Sequence, residues 1–290
     1  MKLSHPQAVV GMVAVTLMWS IAGVVTRHLE QARSFEVTFW RSFFTVLSLL
    51  VILPVFQGRS VFGKLRRAGP ALWLSGLCWS VMFTAFMVAL TLTSVANVLV
   101  TMAVGPFLTA IVAWLAIGHR VPGRTWLAIV VAGAGIGSMY AAQLSGGRLA
   151  GTVVALCVPI AGAFNWTITQ RAHREGHDID LVPAVLVGAA LCAMATLPLA
   201  MPFAASWHDI GLLAMLGLVQ LAIPCALSVV CARVLKAPEI ALLALLEVIF
   251  GILLAWVGAD EAPTREVLAG GTLVIGALVL NELAGWRQRT

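Results

Sequence analysis

The sequence has few charged residues for its length. Charged residues make up 10% of the 290 residues and hydrophobic residues 61%, whereas a soluble domain has roughly 25% charged residues. The mean hydropathy is +1.00, and the apolar residues stand in long unbroken runs. A water-soluble fold is therefore excluded, and the sequence predicts an integral membrane protein.

Cysteines and long polar segments are also scarce. An odd, scattered set of cysteines forms neither a complete disulfide framework nor a CxxC metal motif; the five are Cys78, Cys157, Cys192, Cys225 and Cys231. They lie inside or at the end of apolar runs, so we expect small core residues. The longest polar stretches, 59–67 and 171–180, are too short for a soluble domain. We expect no metal, no cofactor and no nucleic-acid partner.

The apolar runs have the length of membrane-spanning helices. A helix rises about 1.5 Å per residue and needs about 20 residues to cross a hydrocarbon core of about 30 Å. The uncharged stretch from 68 to 118 is too long for one crossing, and the polar run 91–97 divides it. The first run lacks a cleavage site, so we interpret it as an uncleaved span. The sequence predicts ten spans, near 8–26, 35–56, 70–92, 95–118, 123–142, 149–169, 181–201, 208–231, 237–258 and 265–285.

Basic residues between the spans predict the orientation, because cytoplasmic segments carry an excess of Lys and Arg. With the N-terminus in the cytoplasm, thirteen lie inside, namely Lys2, Arg59, Lys64, Arg66, Arg67, Arg120, Arg124, Arg171, Arg174, Arg233, Lys236, Arg287 and Arg289. Four lie outside, namely Arg27, Arg33, Arg148 and Arg265. Both termini are therefore predicted to be cytoplasmic. The net charge of +6 follows from this bias and suits contact with anionic lipid headgroups.

Ten spans divide into two halves of five, 1–145 and 146–290. Five crossings leave the chain on the outer side, so the second half begins from the opposite face and any internal repeat is inverted. Inverted repeats are a common plan of secondary transporters. Weak similarities support a repeat: the dipeptide AW recurs at 113–114 and 255–256, and the first and sixth spans end in VVTRH and TITQRAH.

Several stretches resemble a known family. They are LMWSIAGVVTR in the first span, FWRSFF in the second, LTSVANVLV and GPFLTAIVAWLAIGHRVPGRTW in the fourth, and LLEVIFGILLAWVGADEAPTREVLAGG in the ninth. Their order and spacing resemble the ten-helix drug/metabolite transporter superfamily of the EamA-domain type, over nearly the whole chain. The sequence departs from the family at His119, where an acidic residue usually closes the fourth span, and at Val248, where proline often follows the glutamate.

The resemblance implies an all-α integral membrane protein of ten transmembrane helices, built as two inverted five-helix repeats. Most members of that family are bacterial inner-membrane exporters of amino acids and other small metabolites, and the resemblance implies the same role here. Exporters of aromatic amino acids of the YddG type are one candidate. A multidrug or purine exporter of the same fold is an alternative.

Polar and aromatic side chains inside the spans are candidates for lining a substrate cavity. Polar groups facing lipid would lack hydrogen-bond partners, so these should face other helices. Each could instead bond a neighbouring helix, and both interpretations stay open. The candidates are Trp19, Ser20, Trp79, Phe83, Asn97, Thr101, Asn165, Trp166, Gln220 and Ser228. Aromatic walls would favour substrates with apolar or aromatic side chains.

Glu247, Arg41 and Pro106 are candidates for gating or coupling. Glu247 stands alone among apolar residues near the middle of the ninth span, where an ionised carboxylate costs roughly 2.5 to 3.5 kcal/mol. It could hydrogen-bond a neighbouring helix as a neutral acid, or face a water-filled cavity and take up a proton or a substrate ammonium; we favour packing or gating. Arg41 is expected at another depth, so we expect no direct ion pair. Pro106 removes a helix hydrogen bond and could supply a hinge.

Two other patterns superficially resemble ligand sites. The run GAGIG at 133–137 lies inside the fifth span with no strand before it, so we interpret Gly133 and Gly137 as a helix-packing GxxxG pair. The stretch HREGHDID at 173–180 has a His-x3-His spacing near acids. Because Gly176 separates the two histidines, we interpret this stretch as a polar loop.

Three classes of function fit a chain embedded in the membrane. A secondary transporter is favoured by the inverted plan and by the polar residues within the spans. An intramembrane enzyme would need a second acid or a histidine near Glu247, and the sequence places none there, so no catalytic residue is predicted. A receptor would need a large segment outside the bilayer. The expected partners are a small-molecule substrate and the lipid bilayer, and the chain is expected to be a monomer or a homodimer.

Overall fold

The computed structural model describes residues 4–58, 60–66, 69–117, 122–144, 149–174, 181–232, 234 and 237–287. This part of the chain is helical throughout, with short connections and no strand, which confirms the all-α prediction. The helices are α1 (His5–Arg27), α2 (Ser34–Gln57), α3 (Ser60–Arg66), α4 (Pro70–Leu92), α5 (Val95–Met102), α6 (Gly105–Ile117), α7 (Gly123–Leu144), α8 (Leu149–Arg174), α9 (Leu181–Ala200), α10 (Trp207–Met215), α11 (Ile223–Ala232), α12 (Ala237–Ala259) and α13 (Arg265–Arg287). A π-helical segment, Leu216–Ala222, joins α10 to α11.

Each predicted span coincides with one helix or with consecutive helical segments. Within the described residues, six helical stretches are long and apolar enough to cross a membrane: His5–Arg27, Ser34–Phe56, Pro70–Leu92, Val95–Val112, Pro183–Ala200 and Trp207–Ser228. Leu149–Asn165 and Leu246–Ala259 are shorter apolar stretches. The fold is therefore that of a helical protein with several membrane-spanning candidates.

Prolines coincide with interruptions in the fourth and eighth spans. The fourth is split into α5 and α6 just before Pro106. Proline has no N–H group, so the carbonyl of Met102 loses its usual helical partner. The π-helical segment of the eighth span ends just before Pro224, which likewise cannot donate to the carbonyl of Gln220. Pro159, by contrast, lies within the continuous helix α8.

The helices of the two halves pack against each other. Helix α4 packs on α8 and α9, α1 packs on α11 and α12, α2 packs on α9 and the π-helical segment, and α7 packs on α13. At the end of α1, Arg27 contacts Glu261, which lies just before α13. Helix α1 therefore begins, and α13 ends, at the same end of the bundle. This end is called the terminal end, and the other is the opposite end.

Glycines let α4 and α9 approach closely. A Cβ atom on Gly188 would lie 2.4 Å from Cβ of Trp79 and 2.9 Å from the carbonyl oxygen of Gly76. A Cβ atom on Gly76 would in turn lie 2.5 Å from a methyl group of Val187. Small residues at helix crossings are typical of membrane proteins, where close backbone contact drives association.

The predicted contact through Gly133 and Gly137 is wrong. Nothing lies within 4 Å of a Cβ position on either residue, whereas Gly135 faces the carbonyl oxygen of Gly270 on α13 at 2.8 Å. The buried face of α7 runs through Ala132 and Gly135, so the helical period turns Gly133 and Gly137 away from α13.

The outer surface of the bundle is apolar. Val55 is 74% exposed, Leu115 71% and Val257 84%. Such extensive apolar exposure would be unfavourable in water and suits contact with lipid chains. The surface therefore agrees with the membrane assignment made from composition.

The cysteines are not all core residues. Cys192, Cys225 and Cys231 are buried, as expected, but Cys157 is exposed. Helix α8 presents Cys157 on the same side as the exposed residue Val153, one turn earlier. The core prediction is therefore wrong for Cys157, because no helix of the described part of the chain covers that side of α8.

Candidate substrate site at the centre of the bundle

Arg41 of α2 lies deep inside the bundle, with 1% of its side chain exposed. Its Nη1 donates to Oε1 of Gln220 at 3.1 Å, and its Nη2 donates to the carbonyl oxygen of Phe83 at 3.2 Å. The guanidinium carbon lies 5.5 Å from the ring centre of Phe83 and 5.8 Å from that of Phe86, which is within the range of cation–π attraction. Arg41 therefore joins α2 and α4 to the π-helical segment.

A close backbone contact positions Arg41 and Gln220. The hydroxyl of Thr45, one turn after Arg41, donates to the Arg41 carbonyl at 2.8 Å and to the Gly217 carbonyl at 3.3 Å. A Cβ atom on Gly217 would lie 2.8 Å from the Arg41 carbonyl oxygen. The π-helical segment thus packs directly on the backbone of α2, and Gln220 extends from it to the guanidinium. Single π-helical turns are frequent at functional sites.

Aromatic side chains surround this contact. Nε2 of Gln220 donates to the Trp19 carbonyl at 3.4 Å. The rings of Trp79 and Phe83 lie 5.4 Å apart, and Nε1 of Trp79 is buried without a hydrogen-bond partner. The structure therefore brings together four of the sequence candidates, here called the central cluster: Trp19, Arg41, Phe83 and Gln220.

Glu247 of α12 lies near the central cluster. Gly251, one turn later on the same face, would place a Cβ atom 3.7 Å from Cβ of Ser20 on α1, the residue that follows Trp19. Glu247 is partly exposed, and within the described part of the chain it forms no hydrogen bond or ion pair, with Arg41 or with any other residue. The hydrogen bond that the packing interpretation requires is therefore not found among the described residues.

Two asparagine candidates connect helices away from the central cluster. Nδ2 of Asn97 donates to the Thr152 hydroxyl at 2.6 Å and links α5 to α8. Oδ1 of Asn165 accepts from the Ser75 hydroxyl at 2.6 Å and links α8 to α4. Both amides are fully buried. These contacts are of the interhelical kind that the sequence left open as an alternative to cavity lining.

For the other candidates, the structure shows no hydrogen bond to a neighbouring helix among the described residues. The hydroxyls of Ser20 and Ser228 donate to carbonyls of their own helices. Thr101 is fully buried, and its hydroxyl has no partner. Pro106 opens α6, beside the interruption of the fourth span. The side chain of Trp166 lies outside the described part of the chain, as do His119 and the side chains of 173–180.

A polar network connects several helices at the opposite end. Nε of Arg27 donates to the Glu261 carboxylate, and its terminal nitrogens donate to the carbonyls of Leu90 and, at 2.7 Å, Thr93. The other carboxylate oxygen of Glu261 accepts the N–H of Val95. The Arg27–Glu261 pair thus connects the end of α1, the α4–α5 connection and the α12–α13 loop. From the sequence, Arg27 is only a basic residue outside the membrane, and its pairing is not apparent because the partners are far apart in sequence.

Two buried carboxylates at this end were also missed. Asp209 accepts the backbone N–H groups of 30–32 at 2.8 to 3.0 Å, and Glu36 accepts those of 204–205. Both side chains are fully buried. The capping box formed by Ser206 and Asp209 is a signal that could have identified Asp209. Glu36 carries no comparable signal beyond its place in the first turn of α2.

One group of side chains has the spacing of a metal site. Glu30, His208 and Asp209 offer ligand atoms within 4.8 Å of one another. Both oxygens of Asp209 already accept backbone N–H groups, and Glu30 and His208 are exposed. A helix cap therefore explains this group without a metal ion.

Apolar helices that bury a polar cluster fit the plan of a membrane transporter, in which solute sites lie between helices. Residues 7–141 match the EamA-like transporter family. The match covers nearly all of the first half of the chain and, for that half, supports the resemblance to the drug/metabolite transporter superfamily.

The fold extends over the whole chain. A solved structure described only as "Crystal structure of protein" has a TM-score of 0.64 and 19% sequence identity, and the match covers 97% of this chain and 99% of that chain. At this identity the likeness concerns the fold alone. A comparison with curated protein sequences gave no significant match.

Proposed function

We propose that the chain is a secondary transporter that exports small metabolites across the bacterial inner membrane by alternating access. Its substrates are amino acids with aromatic or other apolar side chains. The observation that carries this proposal is the central cluster, in which Arg41 from the first half of the chain bonds Gln220 from the second. Polar groups buried between two transporter halves mark solute sites, because in lipid they are costly to retain without a function.

Helix packing supports two inverted repeats, 1–145 and 146–290. In such a repeat each span of the first half corresponds to the span five positions later. The third span (α4) packs on the sixth (α8). Its counterpart in the repeat is the packing of the eighth span (α11) on the first (α1), and both contacts occur. The packing of α4 on α9 corresponds in the same way to that of the π-helical segment on α2. The central cluster lies at these matched contacts.

The polar contacts at the opposite end are compatible with alternating access. The Arg27–Glu261 pair and the caps made by Asp209 and Glu36 tie helix ends together there. Polar contacts at a helix end can break and re-form without exposing the apolar core. Such contacts are suited to a gate that opens in the alternate state.

Two further observations support the substrate class and the orientation. Trp19, Trp79 and Phe83 provide aromatic surface in and beside the central cluster, which suits apolar side chains. The excess of basic residues on one side supports cytoplasmic termini. We propose that the protein acts as a monomer or a homodimer.

Uptake into proteoliposomes tests the proposal. Purified protein is offered labelled amino acids, nucleobases and cationic drugs, with and without a pH gradient. We expect saturable uptake of aromatic amino acids that exceeds uptake of small polar ones. Uptake confined to nucleobases or cationic drugs would replace amino-acid export with purine or multidrug export. Saturable uptake of no compound would contradict a metabolite transporter.

A further inference from the structure

Arg41 is a buried cation whose described hydrogen-bond partners are all neutral. It bonds the Gln220 amide and the Phe83 carbonyl, and its Nε has no partner. Arg41 takes part in no ion pair between described residues. Arginine does not lose its proton in proteins, so the positive charge is permanent.

The described surroundings of the Arg41 charge do not replace its hydration in full. A guanidinium removed from water needs an anion or a full set of hydrogen bonds to replace its hydration. The two bonds of Arg41 measure 3.1 and 3.2 Å, whereas charge-assisted bonds are about 2.7 to 2.9 Å long. The rings of Phe83 and Phe86 add only a weaker attraction. The site therefore favours a further, anionic partner.

Three described acids, on the helix of Arg41 or on helices near it, either bond other groups or form no contact with Arg41. Glu36, on the same helix as Arg41, bonds the backbone of 204–205. Asp209, on the helix that leads into the π-helical segment, bonds the backbone of 30–32. Glu247 forms no described contact with Arg41. These described acids therefore supply no partner for Arg41, which favours an anion that comes from a bound solute.

We propose that Arg41 binds the carboxylate of the transported substrate, and that the Gln220 amide holds the guanidinium when no substrate is present. This inference rests on the proposed function and names the chemical group that is recognised. A carboxylate has the shape of the glutamine amide, so it can replace Oε1 of Gln220 and accept two parallel N–H bonds from the guanidinium. Trp19 and Phe83 then lie beside the bound acid, where they can contact its side chain.

A matched series of substrates tests this recognition. Phenylalanine, its amide and phenethylamine share one side chain and differ at the carboxylate. In proteoliposomes, Arg41→Gln is expected to lower phenylalanine uptake about tenfold or more relative to the other two compounds, because a site built for a charged group discriminates strongly. Arg41→Lys keeps the charge without the planar fork. We expect its uptake of phenylalanine, relative to the other two compounds, to lie between those of the wild-type protein and of Arg41→Gln. Thermal melting and gel filtration in detergent check that each variant is folded.

A second variant adds the carboxylate to the chain itself. Gln220→Glu places an acid beside Arg41 and is expected to inhibit phenylalanine uptake more strongly than Gln220→Met, which removes the amide without adding charge. Equal loss of all three compounds in Arg41→Gln would overturn the proposal, as would equal inhibition by the two Gln220 variants. Restoration of Arg41→Gln by Glu247→Gln would also overturn it, because it would identify Glu247 as the partner.

The outcome separates this inference from the proposed function. If the wild-type protein transports only compounds without an acidic group, and Arg41→Gln transports them equally well, carboxylate recognition is wrong and the transporter assignment stands. If the wild-type protein transports no compound, both are wrong.

Discussion

Buried charge is the residue-scale feature with the largest energetic cost in this protein. Arg41 hydrogen-bonds neutral groups among the described residues, and Glu247 has no hydrogen-bond partner in that part of the chain. Placing either charge at the centre of a bilayer costs roughly 2.5 to 3.5 kcal/mol on insertion scales. Arginine can offset this cost only with a partner, whereas a carboxylate can also take up a proton. The two residues are therefore suited to different tasks, anion binding for Arg41 and proton exchange for Glu247.

Glu247→Gln is expected to fold normally and to transport with a flattened pH profile. Glutamine keeps the shape and the hydrogen-bonding capacity of the acid but cannot titrate. Initial uptake rates across a pH series in proteoliposomes measure the effect. The control is Glu30→Gln, because Glu30 is an exposed acid at the opposite end and its loss should leave the profile unchanged. A wild-type profile in Glu247→Gln would instead support the packing interpretation.

The sequence could identify which residues need an explanation, but not what each contacts. Arg41, Gln220 and Asn97 stand out because polar groups are rare in apolar spans. Whether such a group bonds a hydroxyl, as Asn97 does, or meets an amide, as Arg41 does, depends on the rotation of each helix about its axis. The spacing of residues along the sequence does not reveal how each helix is rotated about its axis.

At the scale of helices, close approach is governed by individual glycines. The helix bounds agree with the sequence to within a few residues, because the length of apolar runs and the prolines specify them. The glycine contacts agree less well. The GxxxG spacing in α7 indicated Gly133 and Gly137, whereas Gly135 faces the neighbouring helix. Which side of a helix meets a neighbour depends on tertiary packing, and on an all-apolar helix the hydrophobic pattern does not reveal it.

Gly188→Ala is expected to destabilise the protein by about 1 to 3 kcal/mol, the usual cost of overpacking. Its new methyl group would lie 2.4 Å from Cβ of Trp79 and 2.9 Å from a backbone oxygen, and neither can move without shifting α4. Thermal unfolding in detergent measures the change. Gly133→Ala is the matched control, since nothing lies within 4 Å of its Cβ position. Equal melting temperatures for the two variants would contradict the α4–α9 contact.

Arg27→Gln is expected to open the opposite end. The substitution removes the ion pair with Glu261 and weakens the bonds to the α4–α5 connection, so closure of that end loses several contacts at once. The readout is labelling of Ser20→Cys, in a background without the native cysteines, by a membrane-impermeant maleimide added from the opposite side. We expect Ser20→Cys to be labelled faster in the Arg27→Gln variant than in the protein that keeps Arg27. The control is Arg33→Gln, because Arg33 lies at the same end without an ion pair among the described residues. Equal labelling in all backgrounds would show that this network is not the gate.

At the scale of the whole molecule, composition and charge predict most of the architecture. A scarcity of charge excludes a soluble fold, and the lengths of the apolar runs predict the helices. The polar network at the opposite end was not predicted, because its contacts join residues far apart in sequence, such as Arg27 and Glu261.

Fusions at the chain ends test the predicted orientation. Both termini are expected to be cytoplasmic, because thirteen basic residues lie on that side and four on the other. A fluorescent protein that matures only in the cytoplasm should fluoresce when fused after Thr290, and a phosphatase active only in the periplasm should be inactive there. Phosphatase activity at this position would contradict an even number of spans with a cytoplasmic N-terminus.

Solute counterflow distinguishes an alternating-access carrier of small metabolites from a protein that only lets solutes leak. Proteoliposomes are loaded with unlabelled tryptophan and diluted into a trace of labelled tryptophan. A carrier exchanges the two, so we expect a transient accumulation of label above its equilibrium level, absent from protein-free liposomes. Label that rises only to equilibrium, with every amino acid, nucleobase and drug tested, would contradict alternating access.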